Sequence, residues 1–261
     1  MSLAALGGLA ALLLCFMMTA VFALSLRLRN FGIVDIAWSW NFALLAGIFG
    51  LLGGGYGPRR ALIAAMFAAW SLRLGGYLHR RVMGHHPVED GRYVQLRRDW
   101  AHALHTRFVL FFQAQGLLNL LLVAPLALAC VNPEPALQFL EWMGFTLWLV
   151  AVSGEALADR QLERFKAPPA NRGKVCQEGL WRYSRHPNYF FEWLVWCAYF
   201  LFALASPWGF LAAYCPLLIF YFLFRVTGIP ATEEQALRSK GHAYHEYQRT
   251  TSAFVPWFRK A

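Results

Sequence analysis

Long apolar stretches alternate with short polar segments along most of the chain. A transmembrane helix needs about 20 predominantly apolar residues, and seven stretches approach or reach that length. They cover approximately residues 3–26, 33–53, 60–79, 107–131, 138–158, 189–205 and 207–225. This pattern predicts an all-α, polytopic membrane protein with about seven transmembrane helices, which form a single membrane domain over residues 1–261.

The tail has a different pattern, in which polar and apolar side chains share a short segment. Residues on one helical face recur at a spacing of three or four, at Glu233, Leu237, Lys240, Tyr244 and Tyr247. The spacing predicts a short amphipathic helix at the cytoplasmic surface of the membrane.

The composition supports a membrane protein and changes how the net charge is interpreted. Hydrophobic residues make up 58% of the chain and charged residues 15%, whereas a soluble domain carries about 25% charged residues. A net charge of +10 would indicate nucleic acid as a partner of a soluble protein. In a membrane protein the excess of Lys and Arg marks cytoplasmic loops. We therefore expect the lipid bilayer as a partner, and no nucleic acid.

The basic residues lie mainly in alternate loops. The loops at about 80–106 and 159–188 are rich in Arg and Lys, as is the tail, whereas the segment NPEP (132–135) contains neither. Arg59 and Arg60 are the exceptions, because they fall on the opposite side. The positive-inside rule predicts an outside amino terminus and a cytoplasmic carboxy terminus.

Metal and disulfide chemistry are not indicated. The five cysteines are scattered without a CxxC pair, at Cys15, Cys130, Cys176, Cys197 and Cys215. His85 and His86 lie in a loop without a third clustered ligand. The sequence therefore predicts neither a disulfide framework nor a metal site.

Six ionisable residues lie within or at the ends of the predicted spans. Each such group costs about 2.5–3.5 kcal/mol at the centre of a membrane helix. They are Asp35, Arg73, Glu155, Asp159, Glu192 and Arg225. All lie toward the predicted cytoplasmic side, so we expect them to outline one polar cavity that faces the cytosol. Alternatively, Asp35 and Arg73 form a buried ion pair, and Arg225 is an interfacial anchor.

The segment GLWRYSRHPNYFFEWLVW places many polar groups directly before the sixth span. Pro187 suits the first residue of a helix, so Asn188 and Glu192 share one helical face. Arg185 and His186 then lie at the positive end of that helix, which attracts anions.

The loop before this helix adds further basic and aromatic side chains. They are Lys166, Arg172, Lys174, Trp181, Arg182, Tyr183 and Tyr189. Guanidinium groups bind phosphates through two hydrogen bonds, and aromatic side chains stack on rings. The combination predicts a nucleotide site, and the alternative is a basic loop that binds lipid headgroups.

Several segments resemble a known family. They are RNFGIVDIAW (29–38), WSLRLGGYLHRR (70–81), EDGRY (89–93), ADRQLERFK (158–166), RHPNYFFE (185–192) and GHAYHEYQRTTSAFVPW (241–257). Together they are similar to the bacterial DUF1295 family of steroid 5-alpha-reductase-like membrane enzymes. The resemblance covers the chain from about residue 29 to residue 257, and it implies a bacterial inner-membrane location.

The resemblance implies a seven-helix fold that binds NADPH from the cytosol in its second half, about residues 138–261. Such reductases reduce a carbon–carbon double bond conjugated to a carbonyl, here in a lipophilic, steroid- or isoprenoid-like substrate. Matching by motif assigns cofactor binding to Asp159, Asn188, Glu192 and Arg225. With the basic and aromatic candidates and the tail tyrosines, the predicted cofactor set also contains Lys166, Arg172, Tyr183, Arg185, His186, Tyr189, Tyr244 and Tyr247.

The substrate side departs from the steroid reductases, which place a Gln–Glu pair and a Tyr in these spans. The predicted catalytic residues here are Asp35, Trp38, Trp70 and Arg73, with Trp70 at the place of the Tyr. An Asp held protonated beside apolar walls can donate a proton, so Asp35 is the first candidate for the acid and Tyr77 the second. Phe191 replaces a usual Gly.

Two other functions remain open. RHPNY and the EE…Y..Y tail also resemble S-adenosylmethionine-dependent methyltransferases of the isoprenylcysteine carboxyl methyltransferase type. The second alternative is a lipid-binding scaffold protein, a function that would give Asp159, Asn188 and Glu192 no role. The basic loop favours the reductase, because S-adenosylmethionine carries no phosphate.

Overall fold

The computed structural model describes residues 1–226 and 228–259, and over these residues the fold is all-α, as predicted. The α-helices are α1 (Leu3–Leu28), α2 (Ile33–Leu52), α3 (Gly57–Met83), α4 (Gly91–Asp99), α5 (Leu104–Leu122), α6 (Ala124–Val131), α7 (Phe139–Lys166), α8 (Pro187–Ala203), α9 (Tyr214–Tyr221), α10 (Ile229–Lys240) and α11 (His242–Thr250). Short 3-10 turns form at Ala101–Ala103, Pro169–Asn171, Gly179–Arg182 and Gly209–Ala213, and Phe222–Val226 is a π-helix.

Five helical stretches of the described chain are long and apolar enough to cross a membrane. They are Leu3–Leu28, Ile33–Leu52, Gly57–Met83, Ala101–Val131 and Gly209–Lys240. The chain is therefore an integral membrane protein. The predicted number of seven is not confirmed, since α7 contains Glu141 and Glu155 and α8 has only 17 residues.

The polar end of the last stretch lies outside the bilayer. Its continuous apolar part ends at Arg225, and α10 then carries several charged residues, namely Glu233, Glu234, Arg238 and Lys240. Charged groups at this density are too costly for hydrocarbon. We therefore treat α10 and α11 as surface helices. The amphipathic spacing predicted one helix here, and Gly241 divides it into two.

Local sequence signals explain several helix boundaries. Ser2 caps α1 by accepting a hydrogen bond from the Ala5 N–H at 3.3 Å, and Asp90 caps α4 by accepting from the Arg92 N–H at 3.0 Å. Side chains of this type satisfy the free N–H groups of a first helical turn. Helix α8 begins at Pro187, which confirms the start that the sequence predicted.

The chain divides into two compact units. The first comprises Met1–Gln138 and Ala203–Gly209, and the second comprises Phe139–Phe202 and Phe210–Ala261. The core of the first unit includes stacked rings of Phe31 and Phe108, whose centroids are 3.6 Å apart. The second unit has an aromatic cluster formed by Phe190, Trp193, Phe220, Phe224 and Phe254.

Arg59 and Arg60 have structural roles that account for their unusual position. Arg59 is fully buried, and its guanidinium donates to the carbonyls of Glu134 and Ala136, both at 2.6 Å. Arg60 donates to the Gly53 carbonyl at 2.6 Å. Both cations therefore bind loop carbonyls, and neither needs to mark a cytoplasmic loop.

Candidate functional site

The predicted phosphate-binding stretch and the tail are joined by hydrogen bonds within the second unit. The Ser184 hydroxyl donates to the Phe254 carbonyl at 2.8 Å, and the backbones of Ser184 and Ser252 form a parallel bridge. We call this junction of residues 179–186 with residues 228–257 the clasp. It brings together two segments that are far apart in the sequence.

A partly buried carboxylate, that of Glu233, holds the clasp together. Glu233 accepts hydrogen bonds from Arg185 at 2.7 Å, from His186 at 3.2 Å and from Gln248 at 2.8 Å. Arg185 also donates to the Thr251 carbonyl at 2.6 Å, and its side chain is only 11% exposed. The Arg185 guanidinium is therefore engaged within the chain, and phosphate binding by Arg185 stays a prediction. Arg185 and His186 position the tail.

The pKa values of the clasp reflect this burial and bonding. Burial lowers the pKa of His186, although the hydrogen bond and the charge of Glu233 oppose that shift. Burial alone would raise the pKa of Glu233, but hydrogen bonds from His186, Arg185 and Gln248, with the charge of Arg185, lower it to about 2. At neutral pH the clasp therefore joins a carboxylate to a guanidinium beside a neutral imidazole.

The amide and carboxyl candidates meet at the start of α8. The Asn188 amide donates to Oδ1 of Asp159 at 3.3 Å, so two residues that the motif matching assigned to the cofactor are neighbours. One turn further along α8, Glu192 accepts a hydrogen bond from the Trp196 indole at 2.9 Å. Asp159 and Glu155 are buried on α7.

The predicted tyrosines have different environments. The Tyr189 ring stacks on His186 with a centroid distance of 5.3 Å, and its hydroxyl contacts Thr232 at 3.1 Å. The Tyr247 hydroxyl donates to the carbonyls of Trp181 and Ser184. Burial raises the pKa of Tyr247. Tyr247 thus stabilises the clasp as a hydrogen-bond donor.

The remaining cofactor candidates differ in burial, since Tyr244 is buried beside Arg185 and Glu233 whereas the other two are exposed. Tyr244 packs edge-on against Tyr247 at 5.8 Å. Tyr183 is 39% exposed and packs edge-on against Phe258. Arg225 is exposed within the π-helix. For these three side chains, cofactor binding stays a prediction.

A cavity of about 280 Å³ follows the end of α7 in the second unit. Four cationic side chains line it, and none of its lining residues is acidic. The cations are Lys166, Arg172, Lys174 and Lys240. The arrangement brings two predicted phosphate ligands, Lys166 and Arg172, to one site. We call it the cationic cavity.

Lys240 was not among the predicted cofactor residues. Burial is the main cause that lowers the pKa of Lys240, and the nearby charge of Lys166 lowers this pKa further. Like charges held together are destabilised unless an anion neutralises them. The helical spacing of the tail, which predicts one face with Glu233 and Tyr244, was the signal that could have identified Lys240.

In the first unit Asp35 is a hydrogen-bond acceptor. Its carboxylate accepts from Arg92 at 2.5 Å and from the Tyr93 hydroxyl at 2.7 Å. The carboxyl group of Asp35 thus lies between a guanidinium and a phenol and accepts from both, and a proton-donating role for Asp35 stays a prediction. The contact joins two motifs of the family resemblance, EDGRY and RNFGIVDIAW, and neither Arg92 nor Tyr93 was predicted.

The other substrate-side candidates lie on α2 and α3. Trp70 is fully buried and packs edge-on against Phe42 at 5.4 Å. Arg73 and Tyr77 are half-buried on α3. The indole N–H of Trp38 is buried without a hydrogen-bond partner among the described residues. An unsatisfied buried donor costs about 1–3 kcal/mol, which makes Trp38 the strongest of these candidates for contact with a ligand oxygen.

No group of three or more His, Cys, Asp or Glu side chains in residues 1–226 and 228–259 is placed to hold a metal ion. The cysteines are free thiols.

Comparison with known proteins identifies relatives without a described reaction. The family described as "Protein of unknown function (DUF1295)" matches residues 21–251. The uncharacterized protein C594.04c of Schizosaccharomyces pombe is 30% identical over 224 residues, which cover 75% of this chain and 64% of that protein. The chain thus spans less than two thirds of this relative's length. No solved structure matches the chain.

Proposed function

We propose a function on the premise that the chain belongs to the DUF1295 family, as the match over residues 21–251 shows. The protein is a membrane oxidoreductase that uses NADPH to reduce a carbon–carbon double bond conjugated to a carbonyl. Its substrate is a lipophilic small molecule of steroid- or isoprenoid-like character. The motifs that resemble the steroid 5-alpha-reductase-like enzymes support this proposal.

The observation that carries the proposal is the cationic cavity. Its four basic side chains and the absence of acidic lining residues suit a ligand with several negative charges. A volume of about 280 Å³ lies below the range of about 300–1,000 Å³ that is typical of whole-ligand pockets. The cavity therefore suits the phosphorylated end of a dinucleotide, for which NADPH offers a 2′-phosphate.

The chain's own side chains would supply binding and polarisation. NADPH, when bound, supplies the hydride for the beta carbon of the double bond. The free indole N–H of Trp38 is suited to donate a hydrogen bond to the substrate carbonyl, which stabilises the negative charge that develops on that oxygen. A Trp cannot release a proton at neutral pH, so the acid is a separate group.

The alternative is an S-adenosylmethionine-dependent methyltransferase of the isoprenylcysteine carboxyl methyltransferase type. The clasp favours the methyltransferase, because both of the segments that the clasp joins resemble those enzymes. These segments are RHPNY and the acidic, tyrosine-rich tail. The cationic cavity opposes it. S-adenosylmethionine carries a cationic sulfonium and no phosphate, so four cations would repel it.

Cofactor binding to the detergent-purified protein tests the proposal. We expect NADPH to bind more tightly than NADH, and S-adenosylmethionine not to bind. Lys240→Gln should weaken NADPH binding by about 10- to 100-fold, since a hydrogen bond to a charged group contributes about 1.5–3 kcal/mol. NADH binding should change little in this variant, because NADH lacks the 2′-phosphate.

Arg238→Gln is the matched control on the same helix, because Arg238 pairs with Glu234 and does not line the cavity. It should leave the affinity for NADPH unchanged. Tight binding of S-adenosylmethionine without binding of NADPH would overturn the reductase proposal. Equal losses in Lys240→Gln and Arg238→Gln would overturn the phosphate assignment and reduce the effect to general electrostatics.

A further inference from the structure

A second cavity, of about 490 Å³, lies in the first unit where two membrane helices end. Leu26 and Arg29 contribute from the end of α1, and Leu104 and His105 contribute from the start of α5. Both helices belong to stretches that are apolar enough to cross a bilayer. The cavity therefore lies at a membrane boundary, and we call it the boundary cavity.

One wall of the boundary cavity is a neutral, internally bonded group. Arg97 donates two hydrogen bonds to Glu89, at 3.1 and 3.2 Å, and the Phe31 N–H donates to Glu89 at 2.6 Å. The Arg97 guanidinium also lies over the Phe31 ring, 4.5 Å from its centroid. The acidic residue of the cavity is thus already neutralised by its own partners.

The remaining charge of the boundary cavity is positive. Arg29 is exposed, and among the described residues no carboxylate lies within ion-pair distance of it or of His105. Arg29 also has a left-handed backbone, with a φ of 53°, which glycine or asparagine adopts more readily than arginine. The backbone conformation therefore does not favour an arginine here, and the Arg29 guanidinium is available to an anionic ligand.

The lining combines this positive charge with apolar walls. Leu26 and Leu104 flank Arg29 and His105, and the outer faces of α1 and α5 expose large apolar side chains such as Leu24 and Leu110. Basic side chains near a membrane surface attract anionic headgroups. We infer that the boundary cavity binds the phosphate of an anionic phospholipid, with a soluble phosphate ester as the other source of the same chemistry.

Thermal unfolding of the full-length protein in detergent, with added lipid, tests this inference. We expect phosphatidylglycerol to raise the melting temperature in a saturable manner, and phosphatidylcholine to have no such effect. Arg29→Gln should weaken the apparent affinity for phosphatidylglycerol by about fivefold, the typical effect of one basic residue at a membrane surface. His105→Gln should weaken it further, and Arg29→Lys should retain most of the response.

Arg27→Gln is the matched control, because Arg27 lies two residues from Arg29 and does not line the cavity. For each variant, the melting temperature with lipid is compared with that of the same variant without lipid. A lower starting stability therefore does not affect the measured shift. Glycerol 3-phosphate at equal ionic strength distinguishes the sources: an equal response to it assigns the cavity to a soluble phosphate ester.

Three results would overturn the inference. The first is the absence of a response to either phosphate compound. The second is an equal loss of response in Arg27→Gln and Arg29→Gln, which would indicate only general charge attraction. The third is weaker NADPH binding in Arg29→Gln with an unchanged lipid response, which would assign the boundary cavity to the cofactor.

Discussion

At the scale of single residues, the ring of Phe191 on α8 occupies space that Gly154 leaves open on α7. A Cβ atom added to Gly154 would lie 2.4 Å from an atom of the Phe191 ring, well inside van der Waals contact. Phe191 stands where the reductase pattern usually has glycine, so a large ring replaces a small residue on α8. The glycine on the facing helix accommodates that ring.

We expect Gly154→Ala to lower the free energy of unfolding by about 1–3 kcal/mol, the usual cost of overpacking. Phe191→Ala introduced into the same variant should restore part of the loss, since the two side chains compete for one space. Thermal unfolding of the wild type, both single variants and the double variant measures this coupling.

Gly47→Ala is the control for helix propensity, because nothing lies within 4 Å of a Cβ atom added there. It should be neutral or slightly stabilising, as alanine favours a helix over glycine. If the effects of Gly154→Ala and Phe191→Ala are additive, the two residues are not matched in size.

At the scale of elements, the clasp links the start of α8 to α10 and α11 through groups that titrate. Folding lowers the pKa of His186. As the pH falls, the imidazole is therefore protonated at a higher pH in the unfolded chain than in the folded chain. The contribution of His186 is therefore fully present above about pH 6.5, the ordinary pKa of histidine, and is lost as the pH falls below that value. Glu233 acts in the same direction at lower pH, because folding lowers its pKa to about 2.

We expect the melting temperature to fall between pH 7.5 and pH 5.5, and His186→Gln to reduce that fall. His245→Gln is the matched control, since His245 is exposed on α11 and should leave the pH dependence unchanged. Equal pH dependence in the wild type and in His186→Gln would contradict this role of the imidazole.

Removal of Arg185 should have a larger effect on the same element. Arg185→Ala leaves the partly buried carboxylate of Glu233 without its main cationic partner, and a lost hydrogen bond to a charged group costs about 1.5–3 kcal/mol. The variant should unfold at a clearly lower temperature, and Arg249→Ala, which removes an exposed pair with Glu246, should not. A stable Arg185→Ala protein with weak NADPH binding would instead return Arg185 to the phosphate site.

At the scale of the whole molecule, the length of the apolar stretches and the positions of prolines predicted the all-α fold and the start of α8. Side-chain contacts between distant segments could not be predicted from the sequence. The all-α fold, the start of α8 at Pro187 and the amphipathic tail all depend on local patterns. The bonding of Arg185 to Glu233 and of Asp35 to Arg92 joins positions about 50 residues apart or more. Charge in a loop indicates an anion site, but only the fold decides which cations already have a partner.

The contacts within each unit also bear on the number of crossings. The clasp holds residues 179–186 and the tail on one side of the membrane, so an even number of crossings must lie between them. The stretch Gly209–Lys240 is apolar enough to cross, and α8 must then cross as well. Its 17 residues match the lower limit of about 17 for a transmembrane helix.

Helix α7 is linked to α8 in the same way, so we expect seven crossings. The Asn132 side chain donates to the Ala205 carbonyl at 3.3 Å and to the Ser206 hydroxyl at 3.2 Å, so the segments before α7 and after α8 share one side. Helix α7 must therefore cross whenever α8 does. Together with the positive-inside rule, this predicts that residues 132–138 face outward and residues 167–186 face the cytoplasm.

Labelling of single cysteines with a membrane-impermeant maleimide in intact cells tests this topology. In a variant without the five native cysteines, Glu134→Cys and Trp208→Cys should react from outside, whereas Asn171→Cys and Arg238→Cys should react only after lysis. Labelling of Asn171→Cys from outside, with Arg238→Cys protected, would mean that α7 and α8 do not cross. It would also place residues 167–186 and the tail on opposite sides, which the clasp does not permit.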